Sequence, residues 1–178
     1  MKPALLIIDM QEALCSGRWA AHDIAGVVAR VNTLAQAARA TGAPVVFIQH
    51  EEAEGPMLAD SPGWQLHAGL HTQPQDVRVR KTACDSFHKT PLHAALQALR
   101  IDRLVVCGLQ TEFCVDSTVR GALAHGYPVT LVADGHSTLD NGVLTAPQVI
   151  AHHNATLANV CSFGPRVVVM AAQQVGWA

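Results

Sequence analysis

A three-layer αβα architecture, with a Rossmann-like and mostly parallel sheet of about six strands and helices on both faces, is predicted by three features of the sequence. Five short, continuous apolar runs rich in β-branched residues are bounded by turn residues, helical patterns alternate with them, and only 15% of the 178 residues are charged. Soluble domains average roughly 25% charged residues. Continuous apolar runs suit strands buried on both faces, which arise where crossover helices cover a parallel sheet. A chain of this length buries roughly two-thirds of the surface exposed by its unfolded form, so its core needs no disulfide or metal.

In chain order, Ala4–Ile8 reads as the first strand and Ile24–Ala40 as the first long helix, with Gly42 where the helix should stop. Pro44–Ile48 is the second strand. The segment Glu51–Asp76 then breaks the rhythm with glycines, prolines and carboxylates; connections this long are usually functional, and it reads as a lid or a partner-contact segment, or else as a solvated excursion. Val77–Arg80 alternates apolar and charged residues, as an edge strand does. Thr90 and Pro91 open a helix over Pro91–Leu99, since proline suits the first helical position. Strand Arg103–Cys107, helix Phe113–His125 with Gly126 beyond it, strand Pro128–Val132, a helix from about Gln148 to Val160, and strand Arg166–Met170 complete the series. Each helix leads into a strand, as in parallel crossover units. No repeat or shift of composition divides the chain, so residues 1–178 read as one domain.

Composition narrows the function. Twelve Lys+Arg against fourteen Asp+Glu, without a basic run, argue against nucleic-acid and anionic-membrane partners. The apolar runs fall far short of the ~20 residues a membrane helix requires. The start, MKPALLIIDM, has one lysine and an apolar run ending in aspartate, unlike a secretory signal, so a cytoplasmic location is expected. Five cysteines cannot all pair within one chain, and none form a Cys-x-x-Cys.

Ligands of open parallel sheets bind beyond the carboxyl ends of the strands. Asp9 follows the first strand, Lys81 follows Val77–Arg80, and Cys114 lies in the strand-to-helix turn Gly108–Val115. A sulfur at a helix start meets unpaired N–H groups and the positive dipole end, which favour thiolate, the nucleophilic form. Cys107 and Cys161 read as small hydrophobes, and Cys15 and Cys84 fall in loops without an activating neighbour. Asp9 alone could be a helix cap and Lys81 alone a solvated cation. Together with Cys114 they make a nucleophile, a base for its proton and a cation that holds the base.

These residues carry a resemblance. The stretches LLIIDMQ (5–11), RKTACDSFHKTPLHAAL (80–96) and CGLQTEFCVDSTVRGALAHGYPVTLVADGHST (107–138) resemble the isochorismatase-like cysteine hydrolases, which include nicotinamidases, N-carbamoylsarcosine amidases and similar small-amide hydrolases. The resemblance implies that Asp9, Lys81 and Cys114 match the family's Asp-Lys-Cys triad, in the same chain order. It implies a cis peptide at Leu109–Gln110, and an oxyanion hole made by the backbone N–H groups of Gln110 and Cys114. It also implies hydrolysis of a C–N bond in a small amide, imide, lactam or ureido substrate through a thioester, without a cofactor, in a homo-oligomer (dimer or tetramer). Two alternatives stand beside it. True isochorismatases cleave a vinyl ether and lack the nucleophilic cysteine, so Cys114 argues against that reaction; a non-catalytic oligomeric binding protein of the same fold is the other.

Candidate pocket residues are His50, Trp64, Phe87, Gln110 and Phe113. Nicotinamidases carry Asp-x-His near the end of the second strand, where this chain has Phe47-Ile48-Gln49-His50 without the aspartate, so no metal is expected and nicotinamide is a poor first substrate. His67 and His71 could join His50 on one face only if their segment were helical.

Overall fold

A computed structural model describes residues 2–177. Its six strands are β1 (Pro3–Ile8), β2 (Val45–His50), β3 (Val77–Lys81), β4 (Arg103–Leu109), β5 (Val129–Ser137) and β6 (Val167–Met170). They form one sheet in the order β3-β2-β1-β4-β5-β6, with every neighbouring pair parallel. The helices are α1 (Glu12–Cys15), α2 (Ile24–Ala40), α3 (Leu92–Ala98), α4 (Asp116–Ala124) and α5 (Ala146–Ala158).

All six residues of β1 are buried, and alternate ones serve opposite faces. Leu5 and Ile7 pack with Phe47, Val105 and Cys107 beneath Val27, Val31 and Leu34 of α2. Leu6 and Ile8 pack with Val46, Ile48 and Val106 beneath Leu92, Leu96, Val119 and Leu157 of α3, α4 and α5. Full burial of each such side chain contributes about 1.5–3 kcal/mol, which explains the apolar surplus of the strands. No described helix is long and apolar enough to cross a membrane.

The expected elements are present with shifted ends. β5 runs to Ser137, five residues beyond the sequence reading, and β2 and β4 each gain two residues at the carboxyl end. The helix expected from Phe113 is instead a π turn over Thr111–Val115 that continues as α4. α3 begins at Leu92, whose N–H donates to Thr90 Oγ1 at 3.3 Å, so Thr90 caps it from one position further out than expected. α5 begins two residues early because Gln148 Oε1 accepts the Thr145 N–H at 2.9 Å and closes its first turn.

Gly108 lies close against the Ile8 backbone of β1. Its φ of +116° lies where only glycine is at ease, and a Cβ there would collide with the Ile8 carbonyl. β5 carries a register shift beside it: Leu131 pairs with Val106, but His136 pairs with Gly108, so β5 bulges between them.

The long excursion after β2 is tied down. Leu66 bridges to Gln11, Trp64 and Leu70 are buried, and Arg39 of α2 holds Asp76 at 2.7 Å. Asn32 of α2 donates to the Gly69 carbonyl and accepts the His71 N–H, both at 2.8 Å.

Candidate active site

The carboxyl ends of β1, β3 and β4 converge. Asp9 leaves β1 in left-handed backbone, φ 48°, a region aspartate tolerates better than most residues. Its N–H remains bonded to the Ile48 carbonyl at 2.9 Å and its carbonyl accepts the Gln11 N–H at 2.8 Å, so the carboxylate turns inward and is fully buried. Lys81 is the last residue of β3, not the first beyond it, and the strand's alternation explains its direction: Arg78 and Arg80 face solvent while Val79 and Lys81 face in. Lys81 Nζ donates to Asp9 Oδ2 at 2.7 Å and to the Ala83 carbonyl at 3.1 Å, with His50 Nδ1 3.4 Å away. Two buried charges of opposite sign thereby offset each other's loss of hydration.

Cys114 is the fourth residue of the π turn, and its sulfur, an Asp9 carboxylate oxygen and a His50 ring nitrogen all lie within 4.8 Å of one another. Asp9 Oδ1 is buried with no hydrogen-bond partner among the described residues. The Gln110 carbonyl accepts the N–H groups of Phe113 (3.2 Å) and Val115 (3.1 Å), stepping over that of Cys114, while the Gln110 N–H has no acceptor among the described residues. The Leu109–Gln110 peptide is cis.

Electrostatics correct one expectation. Burial pushes the Cys114 thiol up, the Asp9 carboxylate pushes it further, and Lys81 pulls it back only in part. Burial and Asp9 thus act against the thiolate that a helix start and a neighbouring lysine were expected to favour. Burial also opposes the charge on Lys81, but the Asp9 carboxylate leads the influences that outweigh it, and the ammonium is held above its ordinary value.

The remaining expected residues divide. His50 is half-buried beside Lys81, and Gln110 is half-buried at the turn. Phe113 is 51% exposed. Trp64 is buried; its carbonyl accepts from the side-chain amides of Gln11 (2.9 Å) and Gln49 (3.1 Å), its indole N–H has no partner among the described residues, and the Arg80 guanidinium lies 4.9 Å above its ring. Phe87 is no pocket wall: it is a core residue stacked on Tyr127 and tilted against His125, which precede β5 at the amino end of the sheet, opposite the reactive cluster. His67 and His71 lie in irregular backbone, share no helix face, and do not join His50; His67 Nδ1 pairs instead with Glu12 Oε1 at 3.2 Å. Among the described residues the donors able to hold a metal are Asp9, His50 and Cys114, with the Lys81 ammonium already against the first two.

The other cysteines also depart from expectation in two places. Cys15 ends α1 and is buried, its thiol pushed up to about 12 by burial and Glu12, whereas Cys161 is exposed. Cys107 is buried in β4 and Cys84 lies in a loop, as read, and Cys84 is exposed.

Gln11 has a structural role that its place in LLIIDMQ does not reveal. Fully buried, it exchanges two hydrogen bonds with the backbone of His50, Nε2 to the carbonyl at 2.9 Å and Oε1 from the N–H at 2.8 Å, and its Nε2 also reaches the Trp64 carbonyl. It joins the end of β2 and the excursion to the turn bearing Asp9.

Comparison with known proteins places this geometry in context. Residues 3–164 match the family model described as an isochorismatase domain. A streptothricin hydrolase from Streptomyces noursei is 41% identical over 82% of this chain. The chain spans only 52% of that relative's length. A ureidoacrylate amidohydrolase, RutB, from Methylobacterium radiotolerans is 30% identical, covering 89% of this chain and 73% of its own. A crystal structure of an isochorismatase family protein superposes with a TM-score of 0.87 at 38% identity, covering 96% of this chain and 98% of that one.

Proposed function

The chain belongs to the isochorismatase family, and from that premise we propose that it is a cysteine hydrolase cleaving a C–N bond of a small amide, imide, lactam or ureido substrate, with Asp9, Lys81 and Cys114 as its catalytic residues. The observation that carries the proposal is the Asp9 carboxylate: Oδ2 is committed to Lys81, Oδ1 is buried without a partner among the described residues, and the carboxylate clusters with Cys114 and His50. A thiol nucleophile gives up its proton as it attacks, and the Asp9 carboxylate beside it is the base we assign to take it.

The reaction follows from that placement. As the sulfur attacks the substrate carbonyl, Asp9 Oδ1 takes the thiol proton, so charge moves to the developing oxyanion without a free thiolate accumulating. The Gln110 and Cys114 N–H groups are the proposed donors to that oxyanion. Protonated Asp9 then delivers its proton to the leaving nitrogen, and ammonia or an amine departs from a Cys114 thioester. Asp9 next deprotonates a water that attacks the thioester, and the acid product leaves with the thiol restored. Lys81 stays charged and fixes the carboxylate, so the reaction requires no cofactor. Support for C–N chemistry comes from the relatives named for hydrolysis of streptothricin and ureidoacrylate. His50, Trp64, Gln110 and Phe113 are the proposed substrate contacts.

The test is a panel of small amides, imides, lactams and ureas assayed for release of amine or acid. Cys114→Ala and Asp9→Asn are each expected to lower kcat by at least roughly 10²–10⁴-fold, with the fold retained by circular dichroism. Undiminished turnover by Cys114→Ala would overturn the proposal.

A further inference from the structure

We propose that His136 positions the turn bearing Cys114 through the Thr111 hydroxyl, and that Asn154 of α5 fixes the tautomer in which it does so. The inference rests on the reaction proposed above and adds to it a residue that touches neither substrate nor nucleophile.

His136 lies in β5 opposite Gly108 and is 1% exposed. Its Nε2 is 2.9 Å from Asn154 Oδ1 and its Nδ1 is 2.8 Å from Thr111 Oγ1. Asn154 Nδ2 donates to the Ala133 carbonyl at 3.0 Å, which settles how that amide faces. The amide oxygen is left for His136, and an oxygen there needs a donor, so Nε2 carries the ring proton. Nδ1 is then a lone pair, and the Thr111 hydroxyl must donate to it. Burial pushes His136 down to about 4, with Asn154 opposing in part, so the neutral ring persists across ordinary working pH.

Thr111 is fully buried and is the first residue of the π turn, between the Gln110 N–H and Cys114. Such turns lack the regular i→i+4 ladder that fixes an α-helical start, so a tether from outside matters more for their shape. The bulge that brings His136 into register is itself held by side chains: Asn154 grips the Ala133 carbonyl, and Arg30 Nε of α2 donates to the Asp134 carbonyl at 2.6 Å. A line of hydrogen bonds thus runs from α5 through β5 to the nucleophile turn.

The test separates hydrolysis from simple alkylation. Iodoacetamide is attacked by sulfur at a saturated carbon: a C–S bond forms, iodide leaves, and the thiol proton passes to Asp9, with no oxyanion to be held. Hydrolysis also needs the Gln110 and Cys114 N–H groups in place. Thr111→Val is expected to lower kcat by roughly 10–100-fold, leaving KM and the rate of Cys114 carbamidomethylation within about threefold; Thr111→Ser, which keeps the hydroxyl, recovers most of the loss. ¹⁵N spectra of the parent are expected to show His136 as the Nε2–H tautomer with no titration down to pH 5. Parallel loss of alkylation and hydrolysis would reduce the chain to general packing and overturn the proposal, as would an Nδ1–H tautomer. Turnover surviving Cys114→Ala sinks the site reading, whereas an unimpaired Thr111→Val enzyme, in a protein killed by Cys114→Ala, sinks the role of His136 alone.

Discussion

His136 couples the protein's stability to acid as well as holding its turn. Burial lowers its folded value from 6.5 to about 4, with smaller contributions from Asn154, His153 on α5 and Asp134 on β5. The unfolded chain therefore binds a proton near pH 6.5 that the folded chain refuses until about pH 4. Stability from this group is present above pH 6.5 and is lost as pH falls toward 4, by about 3 kcal/mol in all. Urea melts at pH 7 and pH 4.5 should show that loss, and a His136→Phe variant that still folds should lack this part of it. At this scale the placing of Asp9, Lys81 and Cys114 was legible because each lies at a strand's carboxyl end or in the turn beyond one, and the three together pointed to a site that none indicated alone. Gln11, Thr111, His136 and Asn154 were not, because each acts through partners from other elements that no local pattern reveals. The opposition of burial and Asp9 to the Cys114 thiolate was hidden for the same reason: a helix start can be read from spacing, but the depth of burial and the approach of Asp9 depend on tertiary structure.

Between elements, the decisive contact is that of β4 with β1 at Gly108. Asp9 follows Ile8 directly and the π turn follows Leu109, so the separation of these two strand ends sets the distance between the proposed base and nucleophile. Gly108→Ala combines an unfavourable φ with collision against the Ile8 backbone. The expected cost is at least about 1–3 kcal/mol, read as a lowered melting temperature, with kcat in the surviving folded fraction reduced because the strands must part. Five strands were legible as continuous apolar runs, the sixth, β3, as an alternating edge strand, and four helices from periodicity and punctuation. The strands' carboxyl ends were not. The last residues of β2 and β5 include Gln49, His50 and the Asp134–Ser137 stretch, polar residues at the ligand-binding end that break the apolar signal, while β4 runs on through Gly108, a residue that reads as a turn.

For the whole molecule, we expect one domain to account for residues 1–178, since both faces of the sheet are covered from within this chain. Phe113 at the site, together with Trp19, Val143 and Leu144, leaves large apolar side chains exposed. With a charge fraction of only 15%, this supports assembly into a homo-oligomer. Light scattering is expected to give a multiple of the 18.9 kDa chain mass, and a strictly monomeric mass at micromolar concentration would refute it. Strand order carries a further consequence, for the way the chain is made. β1 is synthesised before the other strands yet lies inside the sheet, and its β4 partners stand 100 positions later, Pro3 with Arg103 and Ile8 with Gly108. At roughly 5–20 residues per second, this wholly apolar strand waits about 5–20 s on the ribosome with one edge open, a template for pairing with other nascent chains. Slower translation lengthens that exposure, so the yield of soluble protein depends on how the first half of the chain is sheltered until Leu109 emerges.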